Sequence, residues 1–323
     1  FADAMRHAAT MFADAGFRDD GLPALRKCAD EFYLEYDTEP LAKSRFLPYK
    51  IMKSALSKLP GARENFAKIK MADIEKWLSP ILKKSYMEIS IVGDVDEKEA
   101  VALAARTFGA LPPRDGENPA PRSRLEFIPA GSKISETYKT TDEPRSLALT
   151  VWLSSGKTEM KKMRADNILG EILDDVLRKE IREAQGKVYS PFAYNNSSAW
   201  IEGVGFMTAA TFVVPEYNAE MLKRFGECAQ RVVNSISEDE FERAKIPLLK
   251  GVEANKRKNV YWLEAVLNMS QCRPENIKLA ETIDSGYAEV SLEDVRSRAG
   301  EIFSKPPYSA DIMPANDKKV LKK

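Results

Sequence analysis

Apolar residues recur at helical spacing through the first 84 positions, with Leu22, Leu25, Cys28 and Phe32 on one stripe and Phe46, Leu47, Ile51 and Leu56 on another. No strand alternation interrupts them. Positions 71–84 predict a further helix carrying Ile74, Trp77, Leu78 and Ile81, after which Met87, Ile89 and Ile91 alternate as one face of a strand over 86–92. Gly93 and Asp94 end that strand. Asp96 is placed to cap the next helix, whose residues Val101, Leu103, Ala104 and Phe108 run to Gly109.

Between 111 and 124 the sequence LPPRDGENPAPRSR holds four prolines and alternating charges with nothing periodic to bury, which predicts an exposed connection and a domain boundary. Strand patterns follow it. Positions 134–139 form one, and Leu147, Leu149, Val151 and Leu153 alternate with Ser146, Ala148, Thr150 and Trp152 in the next. A long amphipathic helix is predicted over 158–184, closed by Gly186 as its C-terminal cap. Two strands at 188–194 and 203–214 read as antiparallel neighbours. Helices return at 216–236, 238–258, 260–270 and 292–303, before a last strand at 308–313.

One internal echo connects the halves. ADIEKWLSPILKKSYMEIS and EDVRSRAGEIFSKPPYSADIM align with Asp73 on Asp294, Ile74 on Val295, Ile81 on Ile302 and Lys84 on Lys305, an offset of 221 residues. Each copy reads as a helix feeding a strand. Two similar domains in succession are the expectation, the first lacking its early strands, which would lie upstream of Phe1.

The 323 residues, 44% of them hydrophobic, are enough for about two domains with cores of their own. Lysine plus arginine and aspartate plus glutamate each number 49, so no net field gathers nucleic acid or an anionic membrane, and neither partner is expected. Apolar runs fall short of the roughly 20 residues of a spanning helix. The chain opens at Phe1 without an initiator Met, with no pattern of a signal peptide, and an upstream region is expected. Cys28, Cys228 and Cys272 are widely spaced and odd in number, giving neither a disulfide framework nor a zinc pair, and read as buried free thiols.

Chemistry within the chain is sparse. A catalytic zinc takes three protein ligands, commonly histidines or carboxylates, and this sequence has one histidine, His7, in MRHAATMF without a Glu-His companion. No metal site is expected in this chain. Ser-His-Asp and Cys-His catalysis meet the same shortage of a base. Phosphate loops are absent, and Ser155 to Lys157 reads as a turn before a helix rather than an anion site. Asp174 and Asp175 read as a solvated helix face. The informative stretch is LRKEIREAQGKVYSPFAYNNSS, where Arg182 and Tyr189 stand on either side of the Gly186 turn. Together they offer a cationic fork and a phenol donor suited to holding a peptide backbone or a developing oxyanion. Read alone, the turn favours the plainer account, with Arg182 meeting the helix dipole and Tyr189 half-buried in its strand.

The residues also carry a resemblance. YMEISIVGDVDEKEAVALAARTFGALPPR resembles the end of a domain of insulinase and pitrilysin type zinc metallopeptidases, peptidase family M16, and REAQGKVYSPFAYNNSS is similar to that family's Arg, six residues, then Tyr-Ser-Pro turn. NVYWLEAVLN and KPPYSADIMPA extend the likeness over nearly the whole chain. The resemblance implies an enzyme of two halves closing on an unstructured peptide. Zinc is held in the first domain by an inverted His-x-x-Glu-His motif, which this sequence lacks, and the other half supplies Arg and Tyr. On motif position those residues are Arg182 and Tyr189.

The expectation is therefore the C-terminal, non-catalytic half of such a peptidase. Its fold is α+β, an antiparallel sheet with helices packed on one face, as in the LuxS and mitochondrial-processing-peptidase-like metallohydrolases. Residues 1–118 are expected to be the C-terminal part of one inactive domain, and 119–323 a complete second one. No activity is expected from this chain alone. Partners would be a peptide substrate and the zinc-bearing half, upstream in the same polypeptide or a separate subunit, and a bacterial periplasmic setting is implied by overall likeness alone. The alternative is a protein-binding or scaffold module that keeps the fold without a link to catalysis.

Overall fold

The computed structural model describes residues 1–53, 59–114, 126–140, 143–181, 188–198 and 203–315, with Val188 and Tyr189 described in their backbone only. The helices α1 (Ala2–Ala13), α2 (Leu22–Thr38), α3 (Pro40–Ser44), α4 (Leu47–Ile51), α5 (Arg63–Ala67), α6 (Met71–Lys84) and α7 (Glu97–Arg106) come first. Then follow β1 (Lys133–Tyr138), β2 (Ser146–Ser155), α8 (Met160–Ile181), β3 (Val188–Ser197) and β4 (Val204–Val213). The chain closes with α9 (Asn218–Asn234), α10 (Glu238–Lys256), α11 (Glu275–Glu281), α12 (Ile283–Ala288), α13 (Leu292–Phe303) and β5 (Tyr308–Pro314). The expected helix at 260–270 is a π-helical stretch over Tyr261–Leu267.

Two compact units divide these elements discontinuously. One contains Phe1–Tyr33, Pro60–Arg122 and Lys256–Ile277, and the other Leu34–Leu59, Ser123–Asn255 and Lys278–Lys323. The described residues 34–53 lie in the same compact unit as the sheet. The expected boundary near 118 falls outside the described residues.

In the second unit, five strands lie in the order β1-β5-β2-β4-β3. The ladders β5–β2, β2–β4 and β4–β3 are antiparallel, and β1 joins β5 in parallel, so the sheet is mixed at that edge. Alternation along β2 separates two cores. Ala148 and Trp152 face α8, α9 and α13 within a cluster holding Ile168, Leu169, Leu173, Phe225 and Val295. Leu147, Leu149 and Val151 face the other way, against Leu47, Ile51 and Met52. Helices dominate one face as expected, and the α4 region covers the other. Each fully buried Leu or Ile contributes about 1.5–3 kcal/mol relative to exposure, so the stripe of α8 is what fixes that helix on the sheet.

In the first unit, Asp96 caps α7 as its position predicts, accepting the Glu99 N–H at 2.8 Å. The strand expected over 86–92 is not formed. A strand needs a ladder partner, and no described residue pairs with this segment. Side chains hold it instead. Glu88 accepts the backbone N–H groups of Gln271 and Cys272 at 3.3 and 3.2 Å, and Ser90 donates to the Leu267 carbonyl at 3.3 Å.

Candidate functional site

The Arg182 to Tyr189 interval is flanked by α8 and β3, and the packing of those two elements fixes its approach. Gly170 allows the helix against the strand, since a Cβ there would stand 2.9 Å from the Asn195 nitrogen. Four residues on, Asp174 accepts the Ala193 N–H at 2.8 Å and pairs with Arg178 at 2.8 Å. This corrects the reading of Asp174 as part of a solvated face: its side chain is 13% exposed and is bonded to the strand. Asp175 is half exposed and faces Lys179 and Arg243 at 3.7 and 4.0 Å.

β3 is the edge strand beside β4. Its register runs Val188↔Val213, Tyr189↔Phe212 and then Phe192↔Ala210, so one extra residue is inserted between Tyr189 and Phe192. Pro191 explains it. A proline has no N–H to give the ladder and is tolerated at edges and bulges, and the Asp174 carboxylate takes up the nearby Ala193 N–H from the helix side.

The backbone of Tyr189 thus lies on an edge strand, immediately before a bulge. Its side chain, and all of Arg182 and Gly186, lie outside the described residues. α8 is described to Ile181, which is 2% exposed and anchors the helix end in the core. Beside that end is a pocket of about 130 Å³, lined by Glu180, Ile181, Arg224, Glu227, Cys228 and Arg231. Burial pushes the Cys228 thiol up to about 11, so at neutral pH it is a thiol and a poor nucleophile.

Further residues hold the frame from afar, and sequence reasoning missed them. Arg298 donates to both Asp166 oxygens at 2.6 and 3.0 Å and to Ser155 Oγ at 3.1 Å, while the Ser155 N–H donates to Asp166 at 2.8 Å. The Ser155 amide is thereby engaged inside the protein, in line with a turn rather than an anion site. Ser154 donates to Asn195 at 2.6 Å, Asn195 to Asn167 at 2.8 Å, and Asn167 to the Tyr287 hydroxyl at 2.7 Å, tying β2, β3, α8 and α12 together. The available signal was the presence of Asp166 and Asn167 within the apolar stripe of α8.

Among the described residues no group of three or more His, Cys, Asp or Glu side chains could hold a metal ion. His7 lies exposed on α1. A donor set built on one histidine does not fit the ligands that a catalytic zinc takes. The three cysteines are free, but only Cys228 is buried, Cys272 is intermediate and Cys28 is exposed, which corrects the expectation of buried thiols.

Comparison with known proteins agrees with the strands and helices just described. The chain is 24% identical over 239 residues to an uncharacterized zinc protease of Mycobacterium leprae, covering 73% of this chain and 52% of that protein. It spans about half the length of the curated relatives it matches. Its fold is similar to the periplasmic protease PqqL from Escherichia coli, with a TM-score of 0.69, 20% identity, and coverage of 92% of this chain and 33% of that one. It is likewise similar to a peptidase M16 inactive domain from Pseudomonas fluorescens, with a TM-score of 0.73, 18% identity, and coverage of 98% and 75%. A family profile described as peptidase M16 inactive domain matches residues 68–248, more than half of the chain. With that match over a chain whose mixed sheet carries packed helices, the chain belongs to the peptidase M16 inactive-domain family.

Proposed function

We propose that this chain is the non-catalytic, substrate-binding half of a zinc metalloendopeptidase. It clasps an unstructured peptide and supplies Arg182 and Tyr189 to an active site whose zinc motif lies in another domain or subunit. The observation that carries this reading is the frame around the motif. α8 and β3 are locked by the Gly170 approach and the Asp174 bond, and a proline bulge directly follows Tyr189 on an edge strand. A stiff frame suits a donor that must meet a reacting group held by another body.

In this reading Arg182 binds a carbonyl or carboxylate of the peptide through its guanidinium fork. The Tyr189 hydroxyl donates a hydrogen bond to the oxyanion that develops at the scissile carbonyl. Zinc would supply Lewis-acid chemistry in the other half. Residues 1–118 would then be the C-terminal part of one inactive domain and 119–323 a complete one. A periplasmic setting is favoured by the likeness to PqqL.

In the assembled enzyme, Tyr189→Phe should lower turnover of an unstructured peptide by about 10²-fold, the scale of losing one oxyanion donor, with KM nearly unchanged. Equal turnover would reject the oxyanion role and leave the scaffold reading in its place.

A further inference from the structure

Five charged side chains are buried among the described residues: Lys43, Arg164, Asp166, Glu240 and Arg298. Four of them have hydrogen-bond partners. Asp166 and Arg298 hold each other, Glu240 takes Arg231 and Ser237, and Arg164 donates to the Leu279 carbonyl and to Thr282 Oγ1. Lys43, 8% exposed on α3, is the exception, because no acceptor among the described residues bonds its ammonium. The charge lies instead over the Tyr36 ring, 3.9 Å from nitrogen to centroid. A ring face attracts a cation, but it leaves the three ammonium N–H groups without oxygen lone pairs to meet.

The charged neighbours do not make up the shortfall, since they are matched already. Lys50 is paired with Glu136, and Lys139 with Asp37 at 2.8 Å. Tyr36 and Asp37 come from the end of α2, Lys50 from α4, Glu136 from β1 and Lys139 from just beyond it, while α3 itself packs on β5 and β2. All of them belong to the sheet unit. Three lysines against two carboxylates leave one positive charge over, that of Lys43. Burial lowers the Lys43 pKa in spite of the fields of Glu136 and Asp37, and Lys50 and Lys139 add to the lowering.

The deficit defines what would fill it. A buried donor without an acceptor has given up its water and gained nothing in return, so the complement is one negative charge on oxygens that accept N–H bonds. A carboxylate supplies both, at the short distances of charge-assisted pairs. A phosphate dianion would bring a second negative charge beside Asp37 and Glu136, with no unmatched cation to meet it.

We propose that Lys43, with the Tyr36 ring against it, is a binding site for a single carboxylate brought by a peptide, either its C-terminal carboxylate or an acidic side chain. The peptide as the source rests on the proposed substrate-binding role. The carboxylate as the ligand rests on the unmatched ammonium and the two matched pairs around it.

NMR on the full chain tests it, with Lys43→Met as the comparison. That change removes a buried charge without a partner, so the variant should unfold at the wild-type temperature or above it. Acetate, titrated against chloride at equal ionic strength, should shift the Lys43 and Tyr36 ring resonances saturably in the wild type, with affinity falling as pH rises through the Lys43 pKa. In Lys43→Met the Tyr36 response should need at least about tenfold more acetate, the scale of losing one charge-assisted hydrogen bond. Acetyl-glycylglycine, with a terminal carboxylate, and N-acetylglutamic acid α-amide, with only a side-chain one, should compete with acetate, and the stronger competitor names the source. No saturable shift in the wild type would overturn the site, as would an undiminished response in Lys43→Met or tighter binding of phosphate than of acetate. A clearly lower unfolding temperature of the variant would make the ammonium a structural partner of Tyr36 and overturn it too. Failure of both competitors would overturn the peptide as source. No cleavage is read, so failure of the Tyr189 role and failure of this site give different results.

Discussion

Asp166 is a carboxylate with no solvent exposure, and its neighbours account for its survival there. Burial pushes its pKa up, against the hydrogen bonds of Arg298 and the Ser155 N–H and the Arg298 charge. Burial alone would lower the Arg298 pKa, and the bonds and charges of Asp166 and Glu301 outweigh it and leave it raised. A buried pair of this kind adds little over an apolar pair of the same shape, but breaking it strands a charge. Asp166→Ala should therefore cost about 3–5 kcal/mol in urea-induced unfolding, the scale of an uncompensated buried charge. A loss under about 1 kcal/mol would mean that Arg298 finds another partner or water. The two residues are 132 positions apart, and no local pattern in the sequence pairs them. The same holds for Asn167 and Tyr287, 120 positions apart. Arg182 and Tyr189 carry a signal of another kind, a short motif around one turn.

At the scale of elements, most of the chain was legible from periodicity. The apolar stripe of α8, the alternation of β2 and β4 and the Asp96 cap are all local patterns, and the structure has each of them. The parallel pairing of β1 with β5 was not legible, because it joins segments 176 residues apart, Lys133 with Ser309. The 86–92 segment has a strand's pattern, but pattern does not supply a partner. The short α11 and α12 carry too few turns for a stripe to show. Helix starts have a chemical consequence of their own. Ser237 and Glu240 exchange hydrogen bonds at the start of α10, and Arg231 binds the same carboxylate at 2.5 Å. Burial pushes Glu240 up, yet the Arg231 and Ser237 bonds outweigh it and bring its pKa from 4.5 to about 2. A carboxylate depressed in the fold gives its full stabilisation above its unfolded pKa and loses it as pH falls through the folded one. Glu240→Gln should lower Tm at pH 7 and flatten the fall of Tm between about pH 4.5 and 2. Flattening should be partial, since Asp294, held down to about 2 by Lys161 and Ser291, loses its contribution in an overlapping range. Parallel wild-type and variant profiles over that window would contradict the assignment.

For the whole molecule, the chain is a member of the inactive-domain family with a well-filled sheet unit and a second unit in which, among the described residues, few apolar side chains are buried. In the proposed reading the metal chemistry belongs to another half, and this chain has a single histidine. The frame at α8 and β3, held by the Gly170 approach and the Asp174 bond, stands where the proposed substrate contacts leave it. The most direct measurement is cleavage of an unstructured peptide by this chain, by the zinc-bearing half, and by the two together. The account predicts negligible turnover from either alone and zinc-dependent turnover from the mixture. Cleavage by the zinc-bearing half at an undiminished rate without this chain would contradict it.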